Sequence, residues 1–327
     1  MAIHKAGLIG CGDYLRWEIP HMINSKSFKV VSTFDLDKSK SEKRALELGA
    51  KSVNTVDDIF NDKEIDIVCL FTPPWARVEL FEKAVKAGKH IITTKPLANT
   101  LDSARKLLEM TNNKVKCAVF YGRCGNPVVE AMKKIFDSGE IGSLALYKED
   151  WFHHYPQWNN WATDPEKNGG PFMDAMIHNL NKSRYLIGSK VKKVEYNSEN
   201  YAQKLKCNDT ESMRVYFENG SSSYLFISWA ADLEVFSLDG NEREHYGIQH
   251  LITNQGWYVK DVEIDGQVYI QARKEKVLKK WKVEALANTH YDDVALAIEG
   301  SAPMKYDIKD AIIDIDILHH AVAGLKK

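Results

Sequence analysis

Near its N-terminus the chain sets a short apolar run, Lys5 to Ile9, against a glycine turn, Gly10-Cys11-Gly12. The pattern predicts a buried strand that ends at this turn, a helix over Leu15 to Ile23, and a second strand over Lys29 to Phe34. Asp35 closes that strand, 23 residues beyond Gly12. Strand, Gly-x-Gly turn, helix, strand and acid, in that order, open a dinucleotide-binding βαβ unit. Gly10 permits the tight turn, and Gly12 lets the backbone approach a pyrophosphate. The helix N-terminus offers unpaired N–H groups and partial positive charge to phosphates. Asp35 stands where a carboxylate accepts hydrogen bonds from both hydroxyls of an adenosine ribose. The third glycine of G-x-G-x-x-G is Leu15 here, and a βα turn without a ligand also accounts for a bare Gly-x-Gly.

Strand and helix continue to alternate to about residue 120. Helices are predicted over Ser39 to Leu48, from Asp57-Asp58 through Phe60, over Trp75 to Ala87 and over Leu101 to Thr111. Strands are predicted over Ile65 to Phe71, His90 to Thr93 and Lys116 to Phe120. Such alternation implies a parallel sheet with right-handed crossovers. The pattern then changes. Pro127 to Asp137 reads as an amphipathic helix, and a helix from Gly169-Gly170-Pro171 runs to about Leu186. Period-two runs between Lys192 and Gln271 predict a largely antiparallel sheet. Two helices, near Asn288 to Glu299 and over Ile308 to Leu325, finish the chain.

At 327 residues and 44% apolar content the chain holds one large or two ordinary domains. A net charge of −1 creates no basic field for nucleic acid. The five cysteines are scattered, without C-x-x-C pairs, which fits a reduced cytoplasmic protein. The N-terminus enters its first strand directly, leaving no room for a signal peptide, and no apolar stretch approaches a membrane span.

Ligands of such sheets bind beyond the carboxyl ends of the strands. The candidate cofactor contacts there are Gly10, Gly12, Asp13 and Tyr14 after the first strand, Asp35 after the second, then Thr72 and Pro73, and Thr94 and Lys95. Lys95, pinned by Pro96, has the chemistry to stabilise an alkoxide or donate a proton; alone it also fits a surface lysine. Asp174 and His178, four apart on one helix, share a face. A carboxylate beside an imidazole orients it for acid–base work, although such pairs are also common on helix surfaces. Neither His153-His154 nor His319-His320 favours metal binding, because adjacent side chains diverge.

Together these residues resemble the glucose-fructose oxidoreductase, inositol dehydrogenase and rhizopine-catabolism family, Gfo/Idh/MocA, over nearly the whole chain. The markers are Gly7-Leu8-Ile9-Gly10-Cys11-Gly12, Asp35, Phe71-Thr72-Pro73-Pro74, Gly88-Lys89-His90 and Lys95-Pro96-Leu97-Ala98. Asp137-Ser138-Gly139-Glu140-Ile141-Gly142 and Gly169-Gly170-Pro171-Phe172-Met173-Asp174, with His178, follow in order. The resemblance implies an α/β chain: a Rossmann parallel-sheet domain (1–122), then a substrate-binding and oligomerisation domain (123–327) with a large, mostly antiparallel open-faced sheet. It implies NAD(P)-dependent oxidation or reduction of a sugar, cyclitol or related polyol, and a homodimer or homotetramer built through the second-domain sheet. It assigns His178 to the hydroxyl proton, Asp174 to orienting that imidazole, and Lys95 to the substrate oxygen and cofactor ribose. Thr94 stands where the family's usual Glu precedes Lys-Pro, Asn181 where an acid commonly follows the histidine, and Leu15 for the third glycine.

Asp35 favours NAD over NADP, since it would repel a 2′-phosphate, with Lys38 and Lys40 near enough to soften that repulsion. Among residues 151–161, Trp158 and Trp161 are candidates for an apolar wall against a sugar ring, with Arg123, Tyr155 and Asn181 as hydroxyl contacts. Filling the core or an oligomer interface is the competing role for those tryptophans. Two other functions share these motifs: a redox-neutral glycosidase or lyase that oxidises its sugar transiently with bound NAD, and a cofactor-bound regulatory protein.

Overall fold

A computed structural model describes residues 2–153, 161–231 and 246–325. The first sheet is wholly parallel. Its strands are β1 (His4–Ile9), β2 (Phe28–Phe34), β3 (Lys51–Ser52), β4 (Ile67–Leu70), β5 (His90–Thr94) and β6 (Cys117–Phe120). Their order, β3-β2-β1-β4-β5-β6, reverses direction at β1, so the loop after β1 opens at the switch point where such sheets bind nucleotides. Every residue of β4 is buried, as expected of a strand covered on both faces.

The crossovers are α1 (Leu15–Ile23), α2 (Lys38–Leu48), α3 (Val56–Phe60), α4 (Arg77–Lys86) and α5 (Leu101–Thr111). Local chemistry fixes their ends. Asp37 caps α2 by accepting from the Ser39 N–H, and Gly49 stops it at φ 63°. Thr55 and Asp58 form a reciprocal capping box on α3. The single helix predicted over Trp75 to Ala87 is instead a 3₁₀ turn, Pro74–Ala76, followed by α4, because Pro74 supplies a first turn without an N–H.

The second sheet has eight strands: β7 (Leu144–Phe152), β8 (Val191–Glu199), β9 (Thr210–Phe217), β10 (Ser222–Ser228), β11 (Tyr246–Thr253), β12 (Tyr258–Ile264), β13 (Gln267–Lys274) and β14 (Val277–Lys282). They lie in the order β14-β13-β12-β11-β7-β10-β9-β8, antiparallel except where β7 meets β10. The sheet is therefore wider than the Lys192 to Gln271 span read from the sequence. β7 was hidden by its Lys-Glu-Asp centre, and β14 by its exposed lysines.

Helices α6 (Pro127–Ser138) and α7 (Ile177–Ile187) pack on one face of this sheet. On β9 the residues turned to that face, Glu211, Met213, Val215 and Phe217, are buried, while Ser212, Arg214 and Tyr216 alternate outward. On the outer face the Arg214 guanidinium lies 4.3 Å from the Tyr216 ring centroid and 4.5 Å from that of Tyr224.

The chain divides into two compact units: Met1–Gly125 with Leu286–Ile315, and Asn126–Ala285 with Asp316–Lys327. The first long stretch ends at Gly125, close to the boundary expected at residue 122, and a late stretch groups with it. That stretch holds α8 (His290–Ile298), before the final helix α9 (Ile308–Leu325). Tyr291 and Val294 of α8 pack into the core with Leu8, Phe28 and Phe120. Asp292 accepts from the Ser27 N–H and both Ser25 and Ser27 hydroxyls. None of the described helices is long and apolar enough to cross a membrane.

Candidate active site

In the first unit the glycine turn after β1 is pinned from both sides. A side chain at Gly10, where φ is 95°, would lie 2.5 Å from the Phe71 carbonyl oxygen, so only glycine fits without moving the β4 loop. Gly12 has the opposite surroundings: nothing lies within 4 Å of where a Cβ would stand. Asp35 accepts from the Cys11 N–H at 2.7 Å through Oδ2 and from the Asp37 N–H at 2.9 Å through Oδ1. Its carboxylate is thereby fixed beside the turn. The Thr72 hydroxyl is buried without a partner among the described residues. An open face at Gly12, an oriented carboxylate and an unsatisfied buried hydroxyl fit a dinucleotide with its phosphates over the turn and its ribose at Asp35.

The other candidates after β1 differ in their surroundings. Asp13 is exposed, and its carbonyl accepts from the Arg16 N–H as α1 begins. The Tyr14 phenol turns inward and donates to Glu18 at 2.7 Å. Glu18 is held further by the Tyr291 hydroxyl at 2.7 Å and His290 Nε2 at 2.8 Å, so the helix behind the glycine turn is tied to α8. Burial pushes the Glu18 carboxyl up, but the His290 contact and the two phenols outweigh it and hold it below its usual range. Burial, reinforced by the Asp35 charge, raises the Cys11 thiol to about 12, so it is no nucleophile at neutral pH. Lys38 donates to the Val53 carbonyl and to Asn54, at 3.0 and 2.9 Å.

Lys95 follows β5, its N–H donating to the Phe120 carbonyl at 3.0 Å, and the Lys95–Pro96 bond is cis. The Thr94 hydroxyl donates to the same Phe120 carbonyl. Sequence reasoning missed the residue that organises this loop. Arg77, 1% exposed, donates from Nε and Nη2 to the Thr72 carbonyl at 3.1 and 2.8 Å. From Nη1 it reaches the carbonyls of Thr94 at 2.6 Å, Leu97 at 3.2 Å, and Pro96. One guanidinium thus joins the loop after β4, with Thr72 and Pro73, to the loop that carries Lys95. Burial lowers its pKa to about 9, which leaves it a cation at neutral pH. Positions 77, 81 and 84 form the buried stripe of α4, a spacing that places Arg77 on the inward face without naming its partners.

In the second unit, Asp174 and His178 do not lie on one regular helix. Phe172–Met176 winds as a π-helical turn before α7 begins at Ile177. The wider turn changes the angle between positions 174 and 178, so the four-residue spacing alone does not set their geometry; π turns recur at functional sites. Asp174 Oδ1 accepts from Asn168 Nδ2 at 2.8 Å, and Asn168 is 1% exposed. Asp174 and His178 are half-buried, whereas Asn181 is buried. Asn168 and Glu211 are further residues that sequence reasoning missed here.

Glu211, on β9, accepts from the Phe172 N–H at 2.5 Å, at the start of the helix. Burial raises its carboxyl to about 7, against the pull of the Tyr196 phenol and the Phe172 N–H. Glu149 of β7 is buried and accepts from Lys182, Trp151 and Gln249 at 3.1 Å, and from Tyr147. Of the remaining substrate candidates, Arg123 belongs to the first unit. Its guanidinium lies 3.6 Å from Asp310 and 5.7 Å from the Tyr306 ring centroid. Trp161 is half-buried at a turn, its carbonyl accepting from the Asp164 N–H at 3.1 Å. Tyr155 and Trp158 lie outside the described residues.

Comparison with known proteins covers both units. The family model described as "Oxidoreductase family, NAD-binding Rossmann fold" matches residues 4–122, and the "GFO/IDH/MocA C-terminal domain" matches residues 129–242. A Bacillus subtilis oxidoreductase is 25% identical over 256 residues, covering 72% of either chain. The scyllo-inositol 2-dehydrogenase (NAD(+)) of the same organism is 28% identical over 193 residues, 58% of this chain and 56% of the relative. In fold, the aldose-aldose oxidoreductase of Caulobacter crescentus superposes with a TM-score of 0.80 at 17% identity, over 98% of both chains. The match of both family models, in the order and at the places where the glycine turn and the Asp174 helix lie, makes the chain a member of the Gfo/Idh/MocA family of NAD-binding oxidoreductases.

Proposed function

We propose that this chain oxidises a secondary hydroxyl of a sugar, cyclitol or related polyol, or reduces the corresponding carbonyl, with NAD as its cofactor. The observation that carries the reading is the cradle after β1, where the open face at Gly12 adjoins a carboxylate oriented by the Cys11 N–H. The inositol 2-dehydrogenases among the relatives support the substrate class. When bound, the nicotinamide ring accepts the hydride that leaves the carbinol carbon. His178 takes the hydroxyl proton, so that oxygen becomes a carbonyl as the C–H bond breaks. Asp174, itself held by Asn168, orients the imidazole. Lys95 is the cation for the substrate oxygen and the cofactor ribose. Trp161, Asn181 and Arg123 remain candidates for substrate contact.

NAD is favoured over NADP because Asp35 presents negative charge to the ribose and Lys38 is engaged by Val53 and Asn54. The reading is tested by screening aldoses and cyclitols for absorbance at the NADH band. Turnover of at least one compound, with NAD preferred, supports it; no turnover across the panel in either direction overturns it.

A further inference from the structure

Glu211 has no part in the chemistry above, yet it touches the start of the helix that has. It projects from β9 on the sheet face that α7 covers, is 4% exposed, and accepts the Phe172 N–H at 2.5 Å. Phe172 is the first residue of the π-helical turn that holds Asp174. The same carboxylate accepts from the Ser198 hydroxyl at 3.4 Å. The Phe172 ring is met edge-on by Tyr196 of β8, with centroids 6.1 Å apart.

The approach to this anchor requires glycine. Gly170 sits at φ 107°, and a Cβ there would lie 3.2 Å from Cys207 Cβ and 3.4 Å from Glu211 Oε1. A buried carboxylate carries a large desolvation cost unless a specific bond is gained. An amide oxygen, as in glutamine, would accept the same N–H at less cost. We propose that Glu211 is a positioning residue of the reaction centre: by holding the Phe172 N–H it fixes where the Asp174–His178 helix begins. This inference rests on the function proposed above.

Two variants of the whole enzyme separate reach from charge. Glu211→Gln keeps the length and the acceptor; Glu211→Asp keeps the charge but withdraws the carboxylate by one methylene. Three readouts apply to each: kcat with the aldose or cyclitol that the wild type oxidises fastest, NADH affinity by fluorescence, and amide exchange over residues 172–178.

The expected kcat loss is about tenfold to a hundredfold in Glu211→Asp, the scale of a misplaced reacting group, and under about threefold in Glu211→Gln. NADH affinity should stay within about twofold in both, and exchange over 172–178 should quicken about tenfold in Glu211→Asp alone. Unchanged kcat and exchange in Glu211→Asp would overturn the inference while leaving the proposed function standing. If no compound is turned over, the function fails, and the exchange comparison still decides whether Glu211 anchors the helix. Parallel losses of kcat, NADH affinity and melting temperature in both variants would reduce Glu211 to a general stabilising role and likewise overturn it.

Discussion

At the scale of single residues, the proposed roles are separable by mutation. Under the proposed function Asp35 favours NAD: its carboxylate is held by the Cys11 and Asp37 N–H groups and would repel a 2′-phosphate. Asp35→Ser should therefore narrow the ratio of kcat/KM between NAD and NADP by about tenfold or more, equivalent to about 1.4 kcal/mol. An unchanged ratio would place the discrimination elsewhere. His178→Ala should lower kcat by roughly 10²–10⁴, the usual worth of a positioned acid or base, with melting temperature unaffected. Lys95→Ala should lose a similar amount while NADH affinity changes less than about tenfold; full activity in either variant contradicts the assigned roles.

Gly10, Gly12, Asp35 and Lys95 became candidates because their residue types sit in or beside short motifs. Arg77 and Glu211 were missed because their partners are distant in the chain or are backbone groups, and Asn168 because no helical or strand period links it to Asp174 six residues on. No spacing rule announces that an arginine will donate to the carbonyls of residues 72, 94, 96 and 97.

At the scale of elements, each unit has a buried polar support, Arg77 in the first and Glu211 in the second. Arg77 joins the loops after β4 and β5, and its removal would leave several carbonyls without their donor. Arg77→Leu should cost about 2–4 kcal/mol in urea unfolding and weaken NADH binding, because each buried polar group left unpaired costs about 1–3 kcal/mol. Arg77→Lys should recover little, since an ammonium cannot span the same fork. A leucine variant with wild-type NADH affinity would show that the loops hold their shape without it.

Glu211 supplies a pH signature. Burial raises its carboxyl from the usual 4.5 to about 7, so the folded chain retains a proton that the unfolded chain releases. This group's contribution is full below about pH 4.5 and is lost as pH rises to 7 and beyond, on the order of 3 kcal/mol in all. Its neighbours Tyr196 and Cys207 are both pushed upward, Cys207 to about 12, and stay neutral through that window. Glu211→Gln should therefore gain stability relative to the wild type between pH 5 and pH 8 in paired urea titrations. Parallel stability curves would contradict the assignment.

Element positions were mostly legible. The helices over Leu15–Ile23 and Leu101–Thr111 are where their periodicity put them. The misreadings have local causes: Pro74 splits one helix, a π turn widens another, and charged residues disguise β7 and β14.

Over the whole molecule, the two sheets carry different groups of candidate residues. The parallel sheet presents the dinucleotide cradle, and the mostly antiparallel sheet supports the helix bearing Asp174 and His178. Both architectures were legible because hydrophobic period alone distinguishes a strand buried on two faces from one buried on a single face. The return of α8 to the first unit was not, since it depends on Glu18, Ser25 and Ser27 meeting residues 290–292 across most of the chain. The proposed reaction is net hydride transfer from a polyol to NAD. It is tested most directly by incubating the enzyme with the best substrate from the panel and excess NAD, then quantifying NADH against substrate consumed. One NADH is expected for each molecule oxidised, with a ketone or lactone as product. Substrate consumed without NADH accumulating would contradict it and point to transient, redox-neutral use of the bound cofactor.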